Sequence, residues 1–140
     1  MIGKCFIDTN VIVYGFDKEN ESKRMISQDL ISKIFISDIY FISTQVLGEF
    51  CNIAEKKIVP GIPLEKIERF INTFPENAII RIDTTDIIRA LRIKERYKYG
   101  FWDCLIIATA FNAGCNVLYS EDLQPGQVID DALTIINPYI

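Results

Sequence analysis

Lys4-Cys5-Phe6-Ile7-Asp8-Thr9-Asn10-Val11 sets a short apolar run directly against an acid and two polar residues. Cys5, Phe6 and Ile7 read as a buried strand, since consecutive apolar residues without alternation suit a sheet covered on both faces. Asp8 ends that run. A carboxylate beside a core is unfavourable unless it is paired or bound to a cation. Two readings of Asp8 follow: a cap on Thr9-Asn10-Val11, or one member of a site. Whether the same pattern recurs decides how far the second can be taken.

Apolar strands recur at Tyr40-Phe41-Ile42-Ser43, Ala78-Ile79-Ile80-Arg81-Ile82, Val117-Leu118-Tyr119 and Thr134-Ile135-Ile136. Helical segments lie between them. Glu21 to Phe35 carries Met25, Leu30, Ile31 and Ile34 on one face, with Ser22, Lys23, Gln28 and Asp29 outside. Thr44 is placed to cap a helix running to about Ile58, which Pro60-Gly61-Ile62-Pro63 breaks. Leu64 to Phe74 is a helix with Leu64, Ile67, Phe70, Ile71 and Phe74 inward. Thr84 or Thr85 caps the next, through Ile87, Ile88, Leu91 and Ile93 to about Tyr97. Phe101 to Asn112 is almost wholly apolar and stops at Gly114. Strands alternating with helices indicate an α/β fold with a central, mainly parallel sheet of four to five strands, in one domain over 1–140.

In open α/β sheets, sites lie at the carboxyl ends of strands. Asp8 and Asp122 both fall just past such ends. Glu49, inside Gln45-Val46-Leu47-Gly48-Glu49-Phe50, and Asp103, ahead of Leu105-Ile106-Ile107-Ala108, also adjoin apolar runs. Each has a plainer reading. Glu49 suits a solvated helix face, Asp103 a helix N-terminus favoured by the macrodipole, and Asp122 a turn. Taken jointly, four acids spread over the chain suggest one shared cation. Mg²⁺ and Mn²⁺ prefer such hard oxygen ligands and can activate water and position a phosphate.

The composition narrows the chemistry further. The 140 residues are 49% hydrophobic, carry a net charge of −4 and include no histidine. Imidazole triads and acid–base dyads are therefore excluded. Cys5, Cys51, Cys104 and Cys115 form no Cys-x-x-Cys pair, which argues against zinc and for reduced thiols in an apolar setting. The charge argues against a simple basic nucleic-acid glove, although divalent cations at the acids offset it locally. No stretch approaches the roughly 20 apolar residues that span a bilayer, and Met1-Ile2-Gly3-Lys4-Cys5 lacks the features of a signal peptide. A cytoplasmic protein without membrane attachment is expected.

The motifs resemble a known family. Phe6-Ile7-Asp8-Thr9-Asn10-Val11 is similar to the opening motif of PIN-domain ribonucleases, and Glu49 within Gln45-x-Leu47-x-Glu49-Phe50 to the second. Phe101-Trp102-Asp103-Cys104-Leu105-Ile106-Ile107-Ala108-Thr109-Ala110 resembles the third, and Leu118-Tyr119-Ser120-Glu121-Asp122-Leu123 the fourth. The ending, Gly126-Gln127-Val128-Ile129 with Ile136-Asn137-Pro138, is similar to VapC-type toxins of toxin–antitoxin pairs. The resemblance implies a three-layer α/β/α fold and RNA cleavage dependent on Mg²⁺ or Mn²⁺. It also implies a small antitoxin partner and, with the surplus of apolar residues, a homodimer. It carries the family's acidic site onto Asp8, Glu49, Asp103 and Asp122 as catalytic and metal-binding residues, with Asn10 and Ser120 as polar helpers. Glu121 is ambiguous because it adjoins Asp122.

Lys94-Glu95-Arg96-Tyr97-Lys98-Tyr99-Gly100-Phe101-Trp102 interleaves basic and aromatic residues. Lys94, Arg96 and Lys98 are candidate RNA contacts. Phe101 and Trp102 are expected to pack in the core or a dimer interface, and Arg89 and Arg92 to form a solvated face. Two competing functions remain. One is a haloacid-dehalogenase-like phosphatase with Asp8 as nucleophile, although Asn10 stands where that family has a second Asp. The other is a non-catalytic RNA-binding PIN module.

Overall fold

The computed structural model describes residues 3–37, 39–56, 58 and 61–140. The Met1-Ile2 start and Pro60 of the expected helix-breaking segment lie outside them. Six strands form one sheet: β1 (Lys4–Ile7), β2 (Ile39–Ser43), β3 (Ile79–Ile80), β4 (Val117–Tyr119), β5 (Val128–Ile129) and β6 (Leu133–Ile136). Their order is β3-β2-β1-β4-β6-β5. All neighbours are parallel except β5 against β6. The helices are α1 (Thr9–Tyr14), α2 (Glu21–Ser37), α3 (Thr44–Lys56), α4 (Leu64–Ile71), α5 (Thr84–Tyr97) and α6 (Phe101–Asn112).

The strands read from the sequence are present, with one addition. β5 is two residues long, too short to show any periodicity, and turns back on β6 through Asp130 and Asp131, both at positive φ. The third strand keeps only Ile79 and Ile80 of the five residues expected, because Glu76–Ala78 forms a 3₁₀ turn.

Three helix details differ from the sequence reading. The cap of α3 is Ser43, whose Oγ accepts from Val46 N at 3.3 Å, while Thr44 Oγ1 accepts from Ile82 N at 3.5 Å. The cap of α5 is Asp83, not a threonine. Its carboxylate accepts from Thr85 N and Asp86 N, and Asp86 accepts in return from Asp83 N at 3.1 Å. This reciprocal pair satisfies donors that the first turn otherwise leaves unpaired. Met25 is exposed, because the inner stripe of α2 runs through Ser27, Leu30, Ile31 and Ile34. Ser27 meets Tyr139, with the two hydroxyls 2.6 Å apart. Leu64, the first residue of α4, is exposed as well.

Two packing features position the site. Residues Cys104 to Ala110 of α6 are all buried, so this helix is apolar on every side and runs through the core, with Asp103 at its start. Phe50 is fully buried in an aromatic cluster, 5.4 Å from Phe16 and 5.1 Å from Phe70 between ring centroids. Burying a phenylalanine is worth roughly 1.5–3 kcal/mol. Phe50 therefore fixes the rotation of α3, and with it the direction of Glu49.

Candidate active site

Asp8 leaves β1 still within the sheet ladder, its N–H donating to Tyr119 O of β4 at 3.0 Å. It caps α1 and belongs to the acidic cluster at once. Oδ1 accepts from Thr9 N at 2.7 Å, and Oδ2 accepts from Ser120 Oγ at 2.7 Å. Asp8 is only 5% exposed and Ser120 is fully buried. Burial pushes the Asp8 carboxyl up to about 7. Hydrogen bonds from Ser120 and Thr9 pull the other way, and the charges of Asp122 and Glu49 add to the rise.

The loop after β4 supplies Asp122. Its N–H donates to Ser120 Oγ at 3.2 Å, and its Oδ2 accepts from Asn10 Nδ2 at 2.9 Å. Asn10 Oδ1 in turn accepts from Glu121 N at 3.2 Å. One asparagine on α1 thus holds both ends of the Glu121–Asp122 step. The Glu121 carboxylate is turned away from Asp122 and bonds Lys23, which lies over the Tyr14 ring at 4.6 Å. That settles where Glu121 stands: in an ion pair beside the acidic cluster.

Glu49 accepts from Thr9 Oγ1 at 3.0 Å and from Gln45 Nε2 at 3.5 Å. The same Gln45 amide donates to Trp102 O at 3.1 Å, tying α3 to the start of α6. Partial desolvation raises the Glu49 carboxyl, opposed by the Thr9 bond and reinforced by Asp103 and Asp122. Desolvation followed by the charge of Asp122 raises Asp103 too. The macrodipole at the start of α6 favours an ionised Asp103, so burial and like charge outweigh it. Asp8, Glu49, Asp103 and Asp122 therefore repel one another across one end of the sheet. Among the described residues no lysine or arginine forms an ion pair with any of the four.

The donor set is entirely hard oxygen, which suits Mg²⁺ or Mn²⁺ and not a thiophilic ion. The neighbouring Cys104 is buried, its thiol directed to Tyr99 O at 3.6 Å. The carboxylates converge without enclosing a point: among the described residues, no three acidic or cysteine side chains are gathered closely enough to hold an ion as they stand. The residue types fit a divalent cation, which Asp8, Glu49, Asp103 and Asp122 would hold only by drawing closer together. A cleft of about 730 Å³ lies elsewhere, against α5, lined by Arg81, Arg89 and Arg92 among others, and contains none of the four acids.

A model of the PIN domain matches residues 5–128. This chain belongs to the PIN domain family. Solved structures agree on the fold, which is the three-layer α/β/α PIN fold. A toxin–antitoxin complex from Klebsiella pneumoniae is similar at 20% identity and TM-score 0.71, over 96% of this chain and 98% of that one. VapBC2 from Rickettsia felis, bound to a DNA fragment from their promoter, is similar at 18% identity and TM-score 0.66, over 94% and 96%. VapC20 from Mycobacterium tuberculosis, described as a Sarcin-Ricin loop cleaving toxin, is similar at 15% identity and TM-score 0.58, over 84% and 91%. A search of curated proteins gave no match.

Several members of this PIN domain's site escaped the sequence reading. Thr9 was visible only as part of a motif, yet it links Asp8 to Glu49. Gln45 was visible only as part of a motif, its bond to Trp102 57 positions away unseen, and Lys23 carried no signal because Glu121 lies far along the chain. Of the basic residues singled out, Arg96 is engaged by Asp130, while Lys94 and Lys98 are exposed. Trp102 is 65% exposed, so it does not pack in the core of this chain. Arg89 is not simply solvated: its guanidinium covers the Phe111 ring at 4.6 Å.

Proposed function

We propose that this PIN domain is a metal-dependent endoribonuclease, the toxin of a type II toxin–antitoxin pair. The observation that carries the reading is the set of four acids, without an ion pair to any lysine or arginine among the described residues, at the carboxyl edge of a mainly parallel sheet in a chain of this family. Asp8, Asp103, Asp122 and Glu49 hold Mg²⁺ or Mn²⁺. Such an ion polarises a phosphate and lowers the pKa of water enough to make it a nucleophile near neutral pH.

The chain's own residues hold the acids in place. Ser120 and the Thr9 N–H fix both oxygens of Asp8. Asn10 holds Asp122, and Thr9 holds Glu49. Glu49, whose carboxyl partial desolvation raises and which is more exposed than Asp8, is suited to take the proton of the attacking water. PIN membership speaks for hydrolysis by water over an aspartyl-phosphate at Asp8, and the complete acidic set speaks for turnover over mere RNA binding.

The partners are a small antitoxin and a second copy of this chain. Similarity to toxin–antitoxin complexes supports the first. Exposed apolar side chains, notably Ile87, Ile88 and Leu91 on α5, give surface to be covered. No helix among the described residues is long and apolar enough to cross a membrane, in keeping with action on cytoplasmic RNA. The deciding experiment is cleavage of RNA by purified protein with and without Mn²⁺. Turnover should require the ion and nearly vanish in Asp8→Asn and Asp103→Asn. Full activity of a contaminant-free double variant would reject this site.

A further inference from the structure

Building on the ribonuclease reading, we infer that Trp102 is a stacking platform for one unpaired base beside the cleaved bond. Trp102 has the most exposed aromatic side chain among the described residues, with 65% of its surface in solvent. An indole is costly to leave in water, and other rings of this chain have found partners: even the exposed Phe35 stacks on Tyr40 at 4.6 Å. Trp102 stands immediately before Asp103 in the first turn of α6.

Its position is fixed rather than loose. Gln45 Nε2 holds the Trp102 carbonyl and reaches Glu49, coupling the backbone that carries the indole to an acid of the site. Gln45 Oε1 is buried with no hydrogen-bond partner. The amide thus forgoes one bond to keep its N–H groups on Trp102 and Glu49. Phe101, partly buried against the core, meets the indole edge to face at 5.2 Å and 78°. This contact orients the ring and leaves most of its area open.

The surroundings favour a base over a protein surface. A second copy covering Trp102 would bury Asp103 and Glu49 without partners, a strongly unfavourable arrangement. A base offers an apolar face of matching size and brings a phosphate that a bound cation at the acids attracts. Stacking needs a base free of its duplex, which makes the preference one for single strands.

Trp102 is the only tryptophan of the chain, so its emission reports the contact directly. The test uses Asp8→Asn protein in Mg²⁺, titrated with short single-stranded RNA of random sequence carrying a fluorophore outside the tryptophan window. Binding should quench Trp102 and shield it from iodide, and the same RNA annealed to its complement should do neither. In an otherwise wild-type chain, Trp102→Leu should raise KM for single-stranded RNA by about fivefold to a hundredfold, more than it lowers kcat. Trp102→Phe should recover part of that loss. RNA binding with unchanged emission, or an unchanged KM in Trp102→Leu, overturns the inference while cleavage keeps the ribonuclease reading intact. Emission that shifts with protein dilution and ignores RNA assigns Trp102 to self-association and overturns it as well. Absence of both binding and wild-type cleavage removes both readings.

Discussion

Asp8→Asn tests the electrostatics of the site without reference to turnover. The fold raises the Asp8 carboxyl from 3.8 to about 7, chiefly by burial. A group raised in this way favours folding while it is protonated. That stability is fully present below the unfolded value and is lost as pH climbs through the folded one. The whole shift corresponds to about 4 kcal/mol in the metal-free protein, an upper bound because Glu49 and Asp103 readjust when the charge goes. Asparagine copies the protonated acid: its oxygen accepts from Thr9 N, and its amide N–H faces the Ser120 oxygen. Variant and wild type should therefore match near about pH 3, below the unfolded value, while the variant should be more stable by up to about 4 kcal/mol near about pH 8.5. Urea unfolding in chelator at both pH values measures the difference. Saturating Mg²⁺ should shrink it, since the ionised wild-type site gains the ligand. A variant advantage of equal size at both pH values, or a wild-type midpoint that does not fall on raising pH, would refute the reasoning.

Protons and metal compete for the same oxygens, so the acid limb of the pH–rate profile should move to lower pH as Mn²⁺ is raised; a limb that stays fixed contradicts the competition. Asn10→Ala frees both Asp122 and the Glu121 backbone, and should weaken the apparent metal affinity about 10- to 100-fold, as removal of a ligand's supporting partner generally does, read from Mn²⁺ titrations of activity. Asp83→Ala removes the cap of α5 at a distance from the acids. It should cost about 1 kcal/mol in urea unfolding and leave the metal titration unmoved. Light scattering should show a dimer, and a monomer at all practical concentrations counts against the second copy as partner.

The sequence made the parallel sheet legible because β1, β2, β4 and β6 are continuous apolar runs bounded by polar residues, a pattern that needs no tertiary knowledge. Asp8 and Asp122 were legible for the same reason, as first polar residues past strand ends. What stayed hidden depends on distance along the chain. Thr9–Glu49, Gln45–Trp102 and Lys23–Glu121 join residues 40, 57 and 98 positions apart, and no local spacing encodes them. A core position for Trp102 was suggested by a sound rule, that large apolar side chains are buried, which does not tell where the core of one chain ends. The Met25 error arose because the inner stripe of α2 is centred on a serine, which apolar periodicity cannot see. The caps of α3 and α5 were each placed one or two residues late, since Ser, Thr and Asp all cap and only the observed hydrogen bonds separate them.

Both outer strands of the sheet, β3 and β5, are two residues long. A foreign strand seeking to continue the ladder finds only two residues to pair with on either outer strand, which gives strand addition little to extend. Any lasting association must then be made by side chains on helices and loops, where sequence can vary freely without disturbing the ladder. The fold in this way leaves recognition to surfaces that can diverge between members of the family, while the short outer strands of the frame carrying the four acids offer little to accidental fibre-like contacts.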